Sequence, residues 1–323
     1  EEGVRGVFES GRYRRYLAVM SRFHSYSANN CLLIAMQRPD ATLVAGYRAW
    51  QDKFGRQVRK GERGMRILSP VVVKEKGEGD DVGEAHDDSA GDGPRHRLAG
   101  FRLATVFDVS QTEGRELPTL GVDELTGGVA RYEAAMRAVS EISRYPVSLE
   151  DVPGGAKGFF SRSEPKRIVI QKGMSQAQTL KTAIHELAHS VMHDSEPKGE
   201  GPALPGRATR EVQAESVAFV VSSWLGLDTG DYSFGYVAGW SEGKDLSELR
   251  ASLDEIRGAA HGIIGGMEQR MAENRETEGL ERVRALEHEP DAACRSLSER
   301  AAIARKASAR DDRAPRLPDR SDR

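Results

Sequence analysis

Residues 182–193 read Thr-Ala-Ile-His-Glu-Leu-Ala-His-Ser-Val-Met-His, and within them His185-Glu186-x-x-His189 is a pattern able to do chemistry. Side chains four apart on a helix stand on one face about one turn apart, so both imidazoles can reach a single metal ion. Glu186 lies beside them, where a carboxylate can take a proton from water held at the metal. The pattern suits a zinc peptidase. Zn2+ is then the expected cofactor, His185 and His189 its ligands, and Glu186 the catalytic residue.

Two imidazoles hold zinc poorly, and a catalytic site has three protein ligands plus water. Residues 209–225 read as the next helical segment, in which Glu211 and Glu215 again share one face. One carboxylate would bind the metal while the other accepts the outer N–H of a ligand histidine and fixes its tautomer. Glu211 is assigned to the metal and Glu215 to the support behind it, with the reverse assignment left open. His193, one turn past His189, reads as a helix-end or supporting residue. Tyr236 reads as a packed tyrosine or as a second hydrogen-bond donor to the reacting oxyanion.

The elements around the motif must hold it in place. Ser175 followed by Gln178 predicts an N-cap with its capping-box partner. Leu180, Ile184, Leu187 and Val191 recur at spacings of three and four and predict a packed stripe, with the histidines and Glu186 off it. Residues 194–201 end the helix. Upstream, residues 158–170 read as two short strands around a Ser-Glu-Pro turn. Its edge strand would lie beside the cleft, where a peptide substrate could add as another strand.

A chain of 323 residues has room for two modest domains and a tail. Its mean hydropathy of −0.56 reflects dilution by polar segments. No window approaches a membrane span and no secretory signal opens the sequence. Cys31 and Cys294 carry no metal-ligand spacing, and reduced thiols in a cytoplasmic protein are the expectation. The net charge of −3 hides an asymmetry: residues 1–70 hold 13 Lys/Arg against 6 Asp/Glu. Residues 75–97 read as a flexible acidic loop inserted between strands at 65–73 and 101–109. Residues 275–323 carry 12 Lys/Arg, 11 Asp/Glu and no aromatic residue, a composition expected to give a partly disordered tail, part of it solvated helix and its end disordered.

In the basic block, cations alternate with Tyr13, Tyr16, Phe23, Tyr26, Tyr47, Trp50 and Phe54. Cations neutralise phosphates and ring faces stack on unpaired bases, so the mixture suits a groove for single-stranded nucleic acid. A buried anchoring role for Trp50 is an equal reading.

The order of motifs resembles the ArdC-type antirestriction family. The resemblance rests on Tyr26-Ser-x-x-Asn30, Leu32-Leu-Ile34 and Ala41-Thr-x-Val-Ala-Gly-Tyr-x-x-Trp50, then on Gly55-Arg-x-Val-x-Lys-Gly-Glu-x-Gly64 and Val106-Phe-Asp-Val-Ser-Gln-Thr-Glu-Gly114. It continues through His185-Glu-x-x-His189, Glu211-x-x-Ala-Glu-Ser-Val-Ala218 and Ser233-Phe-Gly-Tyr-Val-Ala-Gly-Trp240. The acidic insertion and the charged tail depart from it. With the resemblance added, the residues expected to contact single-stranded DNA are Tyr26, Asn30, Trp50, Lys53, Arg56, Arg59 and Lys60, and the expected chain is α+β in four parts. These are a single-stranded DNA-binding domain over 1–120, a linker over 121–134, a mainly helical zincin-like metallopeptidase domain over 135–265, related to ImmA/IrrE, and the tail. The resemblance also implies a mobile-element setting in which incoming DNA is shielded from restriction. Two alternatives stay open: a DNA-coating protein whose zinc is structural, and a DNA-guided protease acting on a protein or peptide substrate.

Overall fold

The computed structural model describes residues 2–74, 96–117, 128–194 and 204–287, apart from Asp228, Asp231 and Ser233. The fold is α+β. Helices α1 (Glu2–Val7), α2 (Ser10–Arg22) and α3 (Ala28–Gln37) open it. Tyr13, Tyr16, Leu17 and Met20 recur on one face of α2, and all are fully buried. The arginines between them take the other face. The tyrosines of this stretch are therefore core residues, and the Tyr/Arg alternation is that of an amphipathic helix.

A short strand β1 (Val44–Gly46) leads into helix α4 (Tyr47–Asp52), followed by β2 (Arg56–Val58), β3 (Met65–Lys74), β4 (His96–Asp108) and β5 (Thr112–Gly114). Strand β4 is central in the antiparallel order β1-β4-β3, and β2 pairs with β5. The expected strands at 65–73 and 101–109 thus pair as anticipated. The acidic insertion up to residue 95 lies outside the described residues. Period-two alternation buries Met65 and Ile67, while Pro70, Val72, Leu98, Phe101 and Leu103 stand exposed on the opposite face.

Residues of the N-terminal motifs turn out to be joinery. Asn30 donates to the Leu68 carbonyl and accepts from the Leu68 N–H, each at 2.9 Å. Gln37 does the same for Arg66. Two side-chain amides of α3 thereby satisfy alternate peptide groups on the edge of β3, as a neighbouring strand would. After β4, Asp108 caps a single 3-10 turn. Its carboxylate accepts from the N–H groups of Thr42, Leu43 and Ser110 and from the Ser110 hydroxyl.

Helix α5 (Gly128–Ile142) begins inside the stretch expected as a linker, and residues 121–127 lie outside the described residues. Strands β6 (Val147–Glu150), β7 (Gly158–Ser161) and β8 (Arg167–Gln171) form a second sheet in the order β6-β8-β7, with β6 parallel and β7 antiparallel to β8. Helices α6 (Gln176–Met192), α7 (Arg207–Trp224), α8 (Val237–Ser241) and α9 (Leu246–Glu287) follow. The hairpin expected at 158–170 is β7 and β8, and α6 lies across them.

Residues 1–268 form one compact unit. Within it, α2 packs along α7. Tyr13 Oη and Ser216 Oγ meet at 2.7 Å in the core, and the Phe8 ring lies 5.7 Å from that of Trp240. From Gln269 the chain forms a second unit, described as the continuation of α9 to Glu287. The rest of the expected tail, 288–323, lies outside the described residues.

Candidate metal centre

Helix α6 is positioned from both ends. Ser175 accepts from the Gln178 N–H as the expected cap. The reciprocal half of the box is missing, because the Gln178 amide turns instead to Thr182 and Lys157. Leu180, Ile184 and Leu187 are buried as the spacing predicts. Val191 is not; at 54% exposure it faces outward in the last turn of α6. Past that turn Asp194 is gripped by the Tyr145 hydroxyl and by Lys166 Nζ, the latter at 2.6 Å. Beside the helix, Gly158 lets β7 approach: a Cβ there would lie 2.7 Å from Thr182 Cγ2 and 3.4 Å from Glu186 Cγ.

His185 Nε2 and His189 Nε2 stand 3.1 Å apart. Glu211 Oε2, supplied by α7, lies 3.7 Å from the first and 3.6 Å from the second. These three are the group of His, Cys, Asp and Glu atoms among the described residues close enough to share a metal ion. A tetrahedral ion with bonds of roughly 2.0–2.1 Å holds its ligand atoms roughly 3.3–3.4 Å apart. The donors fit such an ion. Glu215 Oε2 sits 3.2 Å from His185 Nδ1 on the far side of the ring, the supporting place expected of it.

The charges reinforce this arrangement. Burial works to lower the His185 pKa, but the bonds to Glu211 and Glu215 overcome it and push the pKa up to about 9. The same two imidazoles hold the Glu211 carboxylate far below its usual range. Glu186 is buried, which raises its pKa against the pull of His185 and His189. The Phe160 backbone also pulls the Glu186 pKa down. A cavity of about 350 Å³ is lined by His185, Glu186 and Glu215 together with Lys157, Lys181 and Tyr232. Tyr236 is 47% exposed, and burial of its hydroxyl, with the charges of Glu215 and Glu211, raises its pKa.

His193 caps the C-terminus of α6 and is buried. Its Nδ1 meets His189 Nδ1 at 3.1 Å and its Nε2 meets Gln213 Oε1 at 2.9 Å. Burial pushes its pKa down to about 4, so it is neutral near pH 7. Gln213 had no signal in the sequence beyond its place between Glu211 and Glu215.

Most of the residues expected to touch DNA make internal contacts. Trp50 is wholly buried with its indole N–H on the Phe107 carbonyl, so it has no face to offer a base. Asn30 is spent on the β3 edge. Arg56 stitches β2 to β5 through Thr112 and Arg115, and Arg59 binds Glu62 and the Ser110 carbonyl. Tyr26 is half-buried, edge-on to Phe23. Lys53 and Lys60 are exposed. Tyr47 and Phe101, at 50% and 64% exposure, are rings the sequence reading did not select.

Residues 5–107 match the family described as the N-terminal domain of anti-restriction factor ArdC. Residues 145–230 match the M78 peptidase family's IrrE N-terminal-like domain. The chain thus carries a region similar to the ArdC N-terminal domain followed by one similar to the M78 domain. Among particular relatives, an uncharacterized protein of Bacillus anthracis is 24% identical over 290 residues, covering 79% of this chain and 47% of its own length. DNA primase TraC of Escherichia coli is 27% identical over 258 residues, covering 75% of this chain and 17% of its own. This chain therefore spans about half of the first relative and under a fifth of the second. Crystal structures of antirestriction protein ArdC from plasmid R388 are 19% identical and cover 76% of this chain. The metal-free form aligns over 85% of its chain with a TM-score of 0.46, and the Mn(II)-bound form over 83% with 0.45. Among the described residues no helix is long and apolar enough to cross a membrane.

Proposed function

We propose that the chain is a zinc-dependent peptidase joined to a region that binds single-stranded DNA, and that it shields incoming mobile-element DNA from restriction. The observation that carries the enzymatic half is the meeting of His185 Nε2, His189 Nε2 and Glu211 Oε2 beside a buried Glu186. Zinc, when bound, supplies Lewis acidity toward the peptide carbonyl and an attacking water that is acidic near neutral pH. His185, His189 and Glu211 would hold it, and Glu215 keeps the His185 ring turned toward it. Glu186 takes the proton of the attacking water on its carboxylate and returns it to the departing amine nitrogen. Its burial raises its basicity for that task. Strand β7, the edge of its sheet, offers the substrate backbone a strand to pair with.

The DNA half is supported by the match to the ArdC N-terminal domain and by exposed Lys53, Lys60, Arg63 and Arg66, with ring faces at Tyr47 and Phe101. Glu186→Gln tests the assignment. It is expected to keep metal content and DNA affinity while losing about 10²–10⁴-fold in peptide hydrolysis. Hydrolysis at the unmodified rate removes Glu186 from the chemistry. Undiminished protection from restriction by this variant makes hydrolysis dispensable for the biological role.

A further inference from the structure

Behind His189 runs a chain of hydrogen bonds that crosses three helices. His189 Nδ1 meets His193 Nδ1 at 3.1 Å, and His193 Nε2 meets Gln213 Oε1 at 2.9 Å. Gln213 Nε2 then donates to Glu255 Oε2 at 2.5 Å, with Ser252 Oγ at 3.4 Å. His193, Gln213 and Ser252 are buried, while Glu255 reaches the surface on α9.

The polarity of this chain is fixed at one end. An ionised carboxylate only accepts hydrogen bonds, so Glu255 forces the Gln213 amide to present its NH₂ to α9 and its oxygen to His193. That oxygen also only accepts, so His193 must carry its proton on Nε2. A neutral imidazole has one donor and one acceptor nitrogen, which leaves His193 Nδ1 as an acceptor. His189 must then donate from Nδ1, so that a neutral ring would present the lone pair of Nε2 to an ion shared with His185 Nε2 and Glu211 Oε2.

We infer that Glu255, acting through Gln213 and His193, is a positioning residue that sets which nitrogen of His189 bears the proton, so that α9 is a working part of the metal centre. The inference rests on the metal-binding reading above for its purpose, but not for its detection. A ligand histidine is ordinarily oriented by one neighbouring carboxylate or carbonyl, as Glu215 does for His185. Here the carboxylate is three links away, and the amide and the second imidazole transmit its polarity. Glu255→Gln would break the polarity without changing shape, because an amide can present either a donor or an acceptor to Gln213.

The test compares the unmodified protein with Glu255→Gln and Gln213→Leu, each first shown to be folded by circular dichroism and thermal unfolding. Nitrogen-15 NMR of the histidine rings, on the full chain stripped of metal at pH 7.5, reads the tautomers directly. The expected result is a single Nδ1–H form of His189 in the unmodified protein and a mixture in both variants. With Co2+ and Zn2+ as probes, both variants should show dissociation constants about 10–100-fold weaker. An unchanged His189 tautomer in both variants overturns the inference, even where metal affinity falls, because the loss would then be structural. A shifted tautomer with metal affinity within threefold of the unmodified protein also overturns it. Should the unmodified protein bind neither metal, the metal-centre reading fails, and the tautomer measurement still decides whether Glu255 controls His189.

Discussion

At His185 a proton and a metal ion compete for one nitrogen. Glu211 and Glu215 raise its pKa to about 9, so across the neutral range the ion must displace a proton to bind. Apparent affinity should therefore fall about tenfold for each pH unit below about 9, and level off above it. Chelator competition with Co2+ between pH 6.5 and 9.5 measures this, and a flat profile would mean that His185 is not a ligand. Asp108 titrates with the opposite sign. Burial opposes its charge, but bonds from Ser110, Thr42 and Leu43 win and depress its pKa. Its contribution to stability is present above about pH 3.9, the ordinary carboxyl value, and is lost as pH falls through the depressed folded value. Asp108→Ala should cost about 1.5–3 kcal/mol at pH 7, read by urea unfolding, with the difference shrinking in acid.

Single elements explain what could be read from the sequence and what could not. The histidine-bearing helix, its Ser175 cap, the β7–β8 hairpin and the helix carrying Glu211 and Glu215 were legible because each is specified by contacts within a few residues. Trp50 and Asn30 were not. A tryptophan beside arginines and an asparagine at a helix entry look the same in sequence whether they face solvent or a strand edge, and only the position of β3 and β4 decides. Gly158 belongs here too, since its lack of a side chain matters only where β7 crosses α6. Gly158→Ala must push Thr182 and Val169 aside and should destabilise the protein by about 1–3 kcal/mol. Thermal unfolding of the variant measures this, and a neutral result would mean that β7 can move away from α6.

Across the whole molecule, the feature absent from any local pattern is the packing of α2 on α7. Tyr13 and Ser216 lie 203 positions apart in sequence yet share a buried hydrogen bond. The expectation of a DNA-binding part over 1–120 and a peptidase part over 135–265 follows the order of the motifs. The compact unit that holds both is built across that order. Tyr13→Phe should cost about 1 kcal/mol, and fluorescence and circular dichroism should report one shared unfolding transition for residues 1–268. Two separated transitions would show that α2 adds nothing to the stability of α7.

That shared helix has a practical corollary. α7 offers Glu211 and Glu215 to the histidines on one side and Ser216 to α2 on another. Cutting the backbone between the two helices would therefore not by itself free one from the other. The two pieces should elute together from a sizing column and come apart only in denaturant, as a non-covalent heterodimer made from one gene product.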